Sequence, residues 1–209
     1  MIPYTTNRAI KLFHPGAIWD CDERGVMLTI DDGPSSGGTM KIIETLQEIG
    51  CKAIFFISGE NIKGKEDILN EIIKHGHYLG NHGYLHKRIS LLGKAELMKS
   101  IRSTNELIKS ITGKDVTFYR PPYGAPSLFL QSVMKELQMQ VVMWSLLAWD
   151  FRGSIVKSKT ILTRYLKQGD IIVFHDNAKA ASVFPEILYS LKSVINERGL
   201  EFLEPKCLK

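Results

Sequence analysis

The sequence predicts an α/β protein organised around a parallel sheet, and three observations carry that prediction. Short β-rich apolar runs alternate with longer helical patterns from residue 26 to the end. Glycines (Gly50, Gly76, Gly113, Gly169, Gly199) stand just past those helical patterns, where a left-handed terminating residue is wanted. Residues able to do chemistry collect just beyond the strand ends, the edge at which parallel α/β folds bind ligands. Right-handed crossovers wind such units into a barrel or an open doubly wound sheet, and the pattern alone allows both.

The elements follow in order. Residues 1–25, with Pro3, His14, Pro15 and Gly16, read as an irregular N-terminal arm, and 26–209 as one domain without repeat or linker. Strands are predicted at Val26–Ile30, Ala53–Ile57, Tyr78–Gly80, Thr117–Tyr119, Gln140–Trp144, Asp170–Phe174 and Leu200–Leu203. Helices are predicted at Thr39–Ile49, Lys65–His75, from about Lys94, and near Ser127–Leu137, Ile155–Lys167 and Val183–Glu197. In the second helix Ile68, Leu69, Ile72 and Ile73 fall on one face, and Leu97, Ile101, Ile108 and Ile111 stripe the third.

Composition narrows the class. With 209 residues, 44% hydrophobic and 23% charged, the chain suits one globular domain. Its net charge of +5 comes from scattered Lys and Arg, which argues against a nucleic-acid surface. Cys21, Cys51 and Cys207 are odd in number and unpatterned, so they read as reduced thiols. No run approaches a membrane span, and the first residues lack the apolar core of an export signal. The expected place is therefore the cytoplasm, or the cell envelope if a leader has been removed.

Five loops carry the chemistry. Asp31-Asp32-Gly33-Pro34 follows the first strand; as turn chemistry alone it is unremarkable, but adjacent carboxylates at an apolar strand end need a cation or Arg nearby. His82 and His86 are four apart, so on a helical turn both rings face one way, as two ligands of one metal require. Gly83 excludes the His-Glu-x-x-His motif, and His14, His75 and His77 read as structural. Arg120-Pro121-Pro122-Tyr123-Gly124 is a stiff turn that projects a permanent cation. Trp144 reads as core, whereas Trp149 and Phe151 read as either a sugar-stacking wall or packing. Asp150 lies beyond the fifth strand, and His175-Asp176 ends the sixth.

Together these motifs resemble the polysaccharide deacetylases of carbohydrate esterase family four (the NodB-homology domain). Thr29–Pro34, His82-x-x-x-His86, Arg120–Gly124, Trp144–Phe151 and Val173–Asp176 appear in the family's order across about residues 13–204. The resemblance implies a distorted (β/α)7 barrel. It also implies removal of N-acetyl groups from an N-acetylglucosamine polysaccharide, peptidoglycan or chitin-like, through a water at a metal. In that picture Asp32, His82 and His86 hold a divalent ion, usually Zn2+, with Co2+, Ni2+ or Mn2+ as alternatives. Asp31 is the base, held ionised by Arg120; the Tyr123 backbone N–H serves the oxyanion; His175 is the acid, oriented by Asp150. Tyr123, Trp149, Phe151 and Val173 would contact substrate.

Four positions depart from the family pattern: Ile30, Val173, Gly83 in place of a hydroxyl that would brace the His loop, and Phe151 in place of Trp. Two other readings remain at this point, a hydrolase of a small non-sugar amide and a non-catalytic carbohydrate-binding domain. Intact Asp31 and His175 argue against the second.

Overall fold

The computed structural model describes residues 4–6, 11–12, 15–21 and 24–208. His14 lies outside that set, as do most of the first 14 residues and the side chain of Cys207. The described strands are β1 (Met27–Asp31), β2 (Ala53–Ile57), β3 (Tyr78–Asn81), β4 (Phe118–Tyr119), β5 (Gln140–Val141), β6 (Leu146–Leu147) and β7 (Ile171–His175). The helices are α1 (Gly38–Ile49), α2 (Glu66–Lys74), α3 (Lys94–Thr112), α4 (Leu130–Leu137), α5 (Ile155–Tyr165) and α6 (Ala178–Glu197). All strand pairs are parallel, in the order β5-β4-β3-β2-β1-β7-β6, and the sheet curls into a distorted (β/α)7 barrel. No described helix is long and apolar enough to cross a membrane.

Alternation along β1 builds both layers of the core. Leu28 and Ile30 face the helices, where they join Ile42, Ile43 and Leu46 of α1 and Phe184, Ile187 and Leu188 of α6. Met27 faces the barrel interior, with Ile54, Phe56, Phe118, Val142 and Ile171. Side chains two apart share a face, so Thr29 and Asp31 continue up the interior above Met27, and Val173 and His175 continue above Ile171. The register pairs Thr29 with Val173 and Asp31 with His175. A carboxylate and an imidazole thus reach the barrel mouth on neighbouring strands at one level.

Two strand assignments change. The run read as one strand, Gln140–Trp144, is cut short: its start pairs with β4, and after four intervening residues the chain pairs with β7 as β6. The break is held by the Arg120 side chain, whose Nε donates to Val142 O at 2.9 Å and Nη2 to Met143 O at 2.6 Å. The predicted strand Leu200–Leu203 does not join the sheet. Only Phe202 bridges to Val26, through Val26 N–H to Glu201 O and Leu203 N–H to Val26 O, both at 2.8 Å. Asn177 starts α6 earlier than the sequence pattern suggested, its side chain accepting from the N–H groups of Lys179 and Ala180.

The gap between the edge strands is covered by the described part of the N-terminal arm. Ile18 exchanges hydrogen bonds with Val141 and Met143, and Tyr4 O and Thr6 N–H pair with Leu147 and Ser145. Cys51 is buried, and burial pushes its thiol up to about 12, which makes it inert.

Candidate active site

The cleft at the barrel mouth has a volume of about 440 Å³ and is lined on one side by Asp31, Asp32, His82 and His86. His175, Val173, Phe151 and Leu147 line the other, with Tyr123 and Trp144 between. Each wall is built by a different local device.

Asp31 ends β1 with its side chain turned to the interior. Its Oδ1 accepts from Arg120 Nη1 at 2.7 Å, and the same nitrogen donates to Thr29 Oγ1 at 2.6 Å. Arg120 is wholly buried, with its guanidinium carbon 4.2 Å from the centre of the Phe56 ring. Burial works against its charge and Asp31 works for it. A buried guanidinium with a donor on Thr29, two carbonyls and one carboxylate has almost no freedom to reorient, so it fixes Asp31 as it fixes the break between β5 and β6.

Asp32 adopts φ 76°, which turns its side chain away from that of Asp31 although the two are neighbours. Asn61 Nδ2 donates to Asp32 O at 2.7 Å and holds the turn. Asp176, buried on the far side, accepts from Ser35 Oγ and Thr39 Oγ1 at 2.5 Å each, and its N–H donates to Asp31 O at 2.7 Å. A Cβ on Gly33 would sit 2.7 Å from the Asp176 carboxylate, so only glycine fits there. Asn61 is the supporting residue that sequence reading missed, whereas Thr29 and Asp176 stood within its motifs without an assigned role.

His82 and His86 converge, but not on a helical turn. Residues 82–86 form an irregular loop in which Gly83 takes φ 82° and anchors Gly59 N–H through its carbonyl at 2.9 Å. The brace that Gly83 cannot provide comes from Asn81 Oδ1, which accepts Gly83 N–H at 2.6 Å, and from Ser100 Oγ, which accepts Tyr84 N–H at 2.8 Å. His82 Nδ1 is 2.8 Å from Arg120 O, so it donates there and leaves Nε2 as a lone-pair donor.

Asp32 Oδ1 lies 3.5 Å from His82 Nε2 and 3.1 Å from His86 Nε2. One ligand atom from each of the three residues falls within 4.8 Å of the others. Asp32 Oδ1 is buried yet accepts no well-formed hydrogen bond among the described residues. Burial resists ionisation of Asp32, but the contact with His82 and the fields of His82, His175 and His86 outweigh it and hold the carboxyl at about 2. Burial also lowers the pKa of His86 against the pull of Asp32, which favours the neutral ring that a metal needs. Two imidazoles and a carboxylate with an orphaned oxygen fit a divalent cation.

Opposite, His175 Nδ1 stands 2.8 Å from Asp150 Oδ1, and Asp150 Oδ2 accepts the His175 backbone N–H at 2.8 Å. Burial alone would lower the His175 pKa, but the buried Asp150 carboxylate and its hydrogen bond raise it to about 9. Tyr123 takes φ 61°, is exposed, and lays its ring 4.4 Å from that of His86. Phe151 meets His175 edge-on at 5.2 Å.

Trp144, read as core, packs against the core but also lines the cleft. Trp149, read as either a sugar-stacking wall or packing, is buried against Tyr4 and Phe151 with the Lys157 ammonium 3.9 Å from its ring centre. Trp149 has φ 62°, and that left-handed turn folds its side chain inward. Of the remaining histidines, His77 is buried, accepts Ala53 N–H at 3.4 Å and is pushed down to about 4 by burial. His75 is 2.9 Å from Glu71 O at the end of α2.

The profile of the polysaccharide deacetylase family matches residues 20–142, more than half of the chain. The chain belongs to the polysaccharide deacetylase family. It is 32% identical over 160 residues to the peptidoglycan-N-acetylmuramic acid deacetylase PdaC of Bacillus subtilis, covering 75% of this chain and 33% of that one. Among solved structures, the Bc1960 peptidoglycan N-acetylglucosamine deacetylase superimposes with a TM-score of 0.85 at 26% identity over 90% of each chain. A family-four pseudoenzyme from Bacillus anthracis also shares the fold, with a TM-score of 0.81 at 22% identity over 90% of this chain and 66% of that one. The chain spans between a third and about half of the first curated relatives it matches. In this member of the family, residues of all five motifs named above line the cleft or hold its lining in place.

Proposed function

We propose that the protein is a metal-dependent deacetylase that hydrolyses N-acetyl groups on an N-acetylglucosamine-containing polymer, peptidoglycan or a chitin-like chain. One observation carries the reading: the register sets Asp31 beside His175 at the cleft mouth, with Asp32, His82 and His86 converging between the loops. The relatives' activities on peptidoglycan support the substrate class.

Asp32, His82 and His86 would hold the ion, Zn2+ in the first instance. When bound, such an ion polarises the amide carbonyl and lowers the pKa of water. Asp31, kept in place by Arg120, takes a proton from the attacking water as its oxygen bonds to the acetyl carbon. The Tyr123 backbone N–H, presented by the turn at φ 61°, donates to the oxygen that gains charge. His175, held protonated near neutral pH by Asp150, gives its proton to the sugar nitrogen as the C–N bond breaks. The products are acetate and the free amine. Val173 and Leu147 form the apolar wall available to the acetyl methyl, and Trp144, Phe151 and Tyr123 offer ring faces to sugar. A wall polymer as substrate requires the protein to act where that polymer lies.

The test is acetate release from N-acetylglucosamine oligomers, with chelator and with added zinc or cobalt. Metal-restored release is expected. Release of nothing from any sugar oligomer, with turnover of a small non-sugar amide, would replace this reading.

A further inference from the structure

Beside the cleft lies a second depression of about 350 Å³, lined by His86, Lys87, Arg88, Leu91, Leu92 and Tyr123. His86, Arg88 and Tyr123 belong to both, so the two form one continuous surface. Arg88 and Lys87 are exposed, and neither forms an ion pair among the described residues. Glu60, which reaches this loop, is engaged by the His86 backbone N–H at 2.9 Å. The Arg88 guanidinium stands 5.3 Å from the centre of the Tyr123 ring, whose own position is set by its left-handed turn and its packing on His86. A guanidinium held against a ring loses freedom, and its fixed fork of N–H donors matches a carboxylate in two places. Leu91, 82% exposed, supplies apolar surface next to the cations.

We propose that this depression is a subsite for a carboxylate carried next to the reacting sugar, with Arg88 as its principal ligand and Lys87 as support. It rests on the deacetylase reading, because it assigns a substrate feature to the neighbour of the same cleft. The carboxylate has two possible sources in such a polymer, an acidic ether on the adjoining sugar or the start of a peptide attached to it.

The experiment compares three tetrasaccharides: all N-acetylglucosamine, one alternating with N-acetylmuramic acid, and the same bearing a short peptide. The wild-type holoenzyme should favour a carboxylated substrate in kcat/KM by about tenfold, the size of one charge-assisted pair. High salt should erode the preference. Arg88→Gln should bring the ratio towards one, Arg88→Lys should keep part of it, and Arg88→Glu should invert it. A gain with the peptide-free acid identifies the sugar ether, and a gain only with the peptide identifies the stem; both support the subsite. An equal ratio for wild type and Arg88→Gln overturns it. Calorimetric binding of the same oligomers reads the preference without turnover, so absence of hydrolysis would refute the deacetylase reading while the subsite is still judged.

Discussion

The proposed metal wall of the cleft and the proposed acid wall are held by different means. Asp32, His82 and His86 stand on loops after β1 and β3, set by left-handed Asp32 and Gly83, by the side-chain amides of Asn61 and Asn81 and by the Ser100 hydroxyl. His175 stands on β7 itself, and one buried carboxylate, Asp150, holds both its ring and its backbone. Three ligand atoms from two loops must meet at one point, so the first wall fails as a unit. The second wall tunes a proton, and its failure is graded. The same contrast separates Asp31 from Asp32: neighbours in sequence, one is bonded to Arg120 at a strand end and the other turned out by φ 76°.

The largest expected effect follows from breaking the metal wall. Altering a residue that merely supports a metal ligand typically costs ~10- to 100-fold, so Asp32→Ala, which removes a ligand, should exceed that. It should lose bound metal, measured by elemental analysis, and acetate release together. Next, Asp31→Asn should keep the metal at wild-type stoichiometry while turnover falls ~10²- to 10⁴-fold, the usual contribution of an acid–base group. Metal lost from Asp31→Asn and retained by Asp32→Ala would exchange the two roles.

The acid wall should respond by a shift rather than a collapse. In the proposed mechanism His175 carries a proton; burial works against it, but Asp150, with Asp32 and Asp31, raises its pKa from 6.5 to about 9. The stabilising interaction of the charged ring is complete below the unfolded value and fades as pH rises through the folded one. Asp150→Asn removes the opposing charge, so the alkaline limb of kcat/KM should move down by ~1–3 pH units. The acidic limb should move less. An alkaline limb unchanged in this variant would mean that another group delivers the proton.

The contrast also explains what the sequence disclosed. Strands β1, β2 and β7 are buried on both faces, so their apolar runs stand out, and the polar residues that end them mark the site. His82 and His86 were legible through their spacing, although the turn that joins them is a glycine loop rather than a helix. The break between β5 and β6 was not legible, because Val141–Leu147 reads as one nearly apolar run. The break is imposed by Arg120, some 20 residues earlier in sequence, through the carbonyls of Val142 and Met143. Leu200–Leu203 has strand composition, yet only Phe202 finds a bridging partner beside Val26. Asn61 and Asn81 act through backbone groups brought close only by the fold, which no spacing rule reports.

The smallest effect, and the sharpest separation of packing from recognition, concerns Trp144 and Trp149. The strand pairing breaks between Val141 and Leu146, and Trp149 takes a left-handed turn, so neither side chain's surroundings follow from the local pattern. Trp149 is 8% exposed and packs edge-on to Tyr4 at 5.3 Å, so Trp149→Leu should open a cavity and cost ~2–3 kcal/mol of stability. Its KM for an N-acetylglucosamine pentamer should stay near the wild-type value. Trp144 lines the cleft, is half-buried and also packs against both core clusters, so Trp144→Leu should lose a ring face together with a smaller core contact than Trp149 makes. A stacked ring supplies ~0.5–1.5 kcal/mol beyond its area, equivalent to a KM increase of roughly 2- to 12-fold for the pentamer. The melting temperature should change less than in the Trp149 variant. Thermal unfolding and oligomer kinetics on the pair decide the matter: if Trp149→Leu raises KM while Trp144→Leu lowers only the melting temperature, Trp149 contacts sugar and the cleft opens further towards α5 than its present lining.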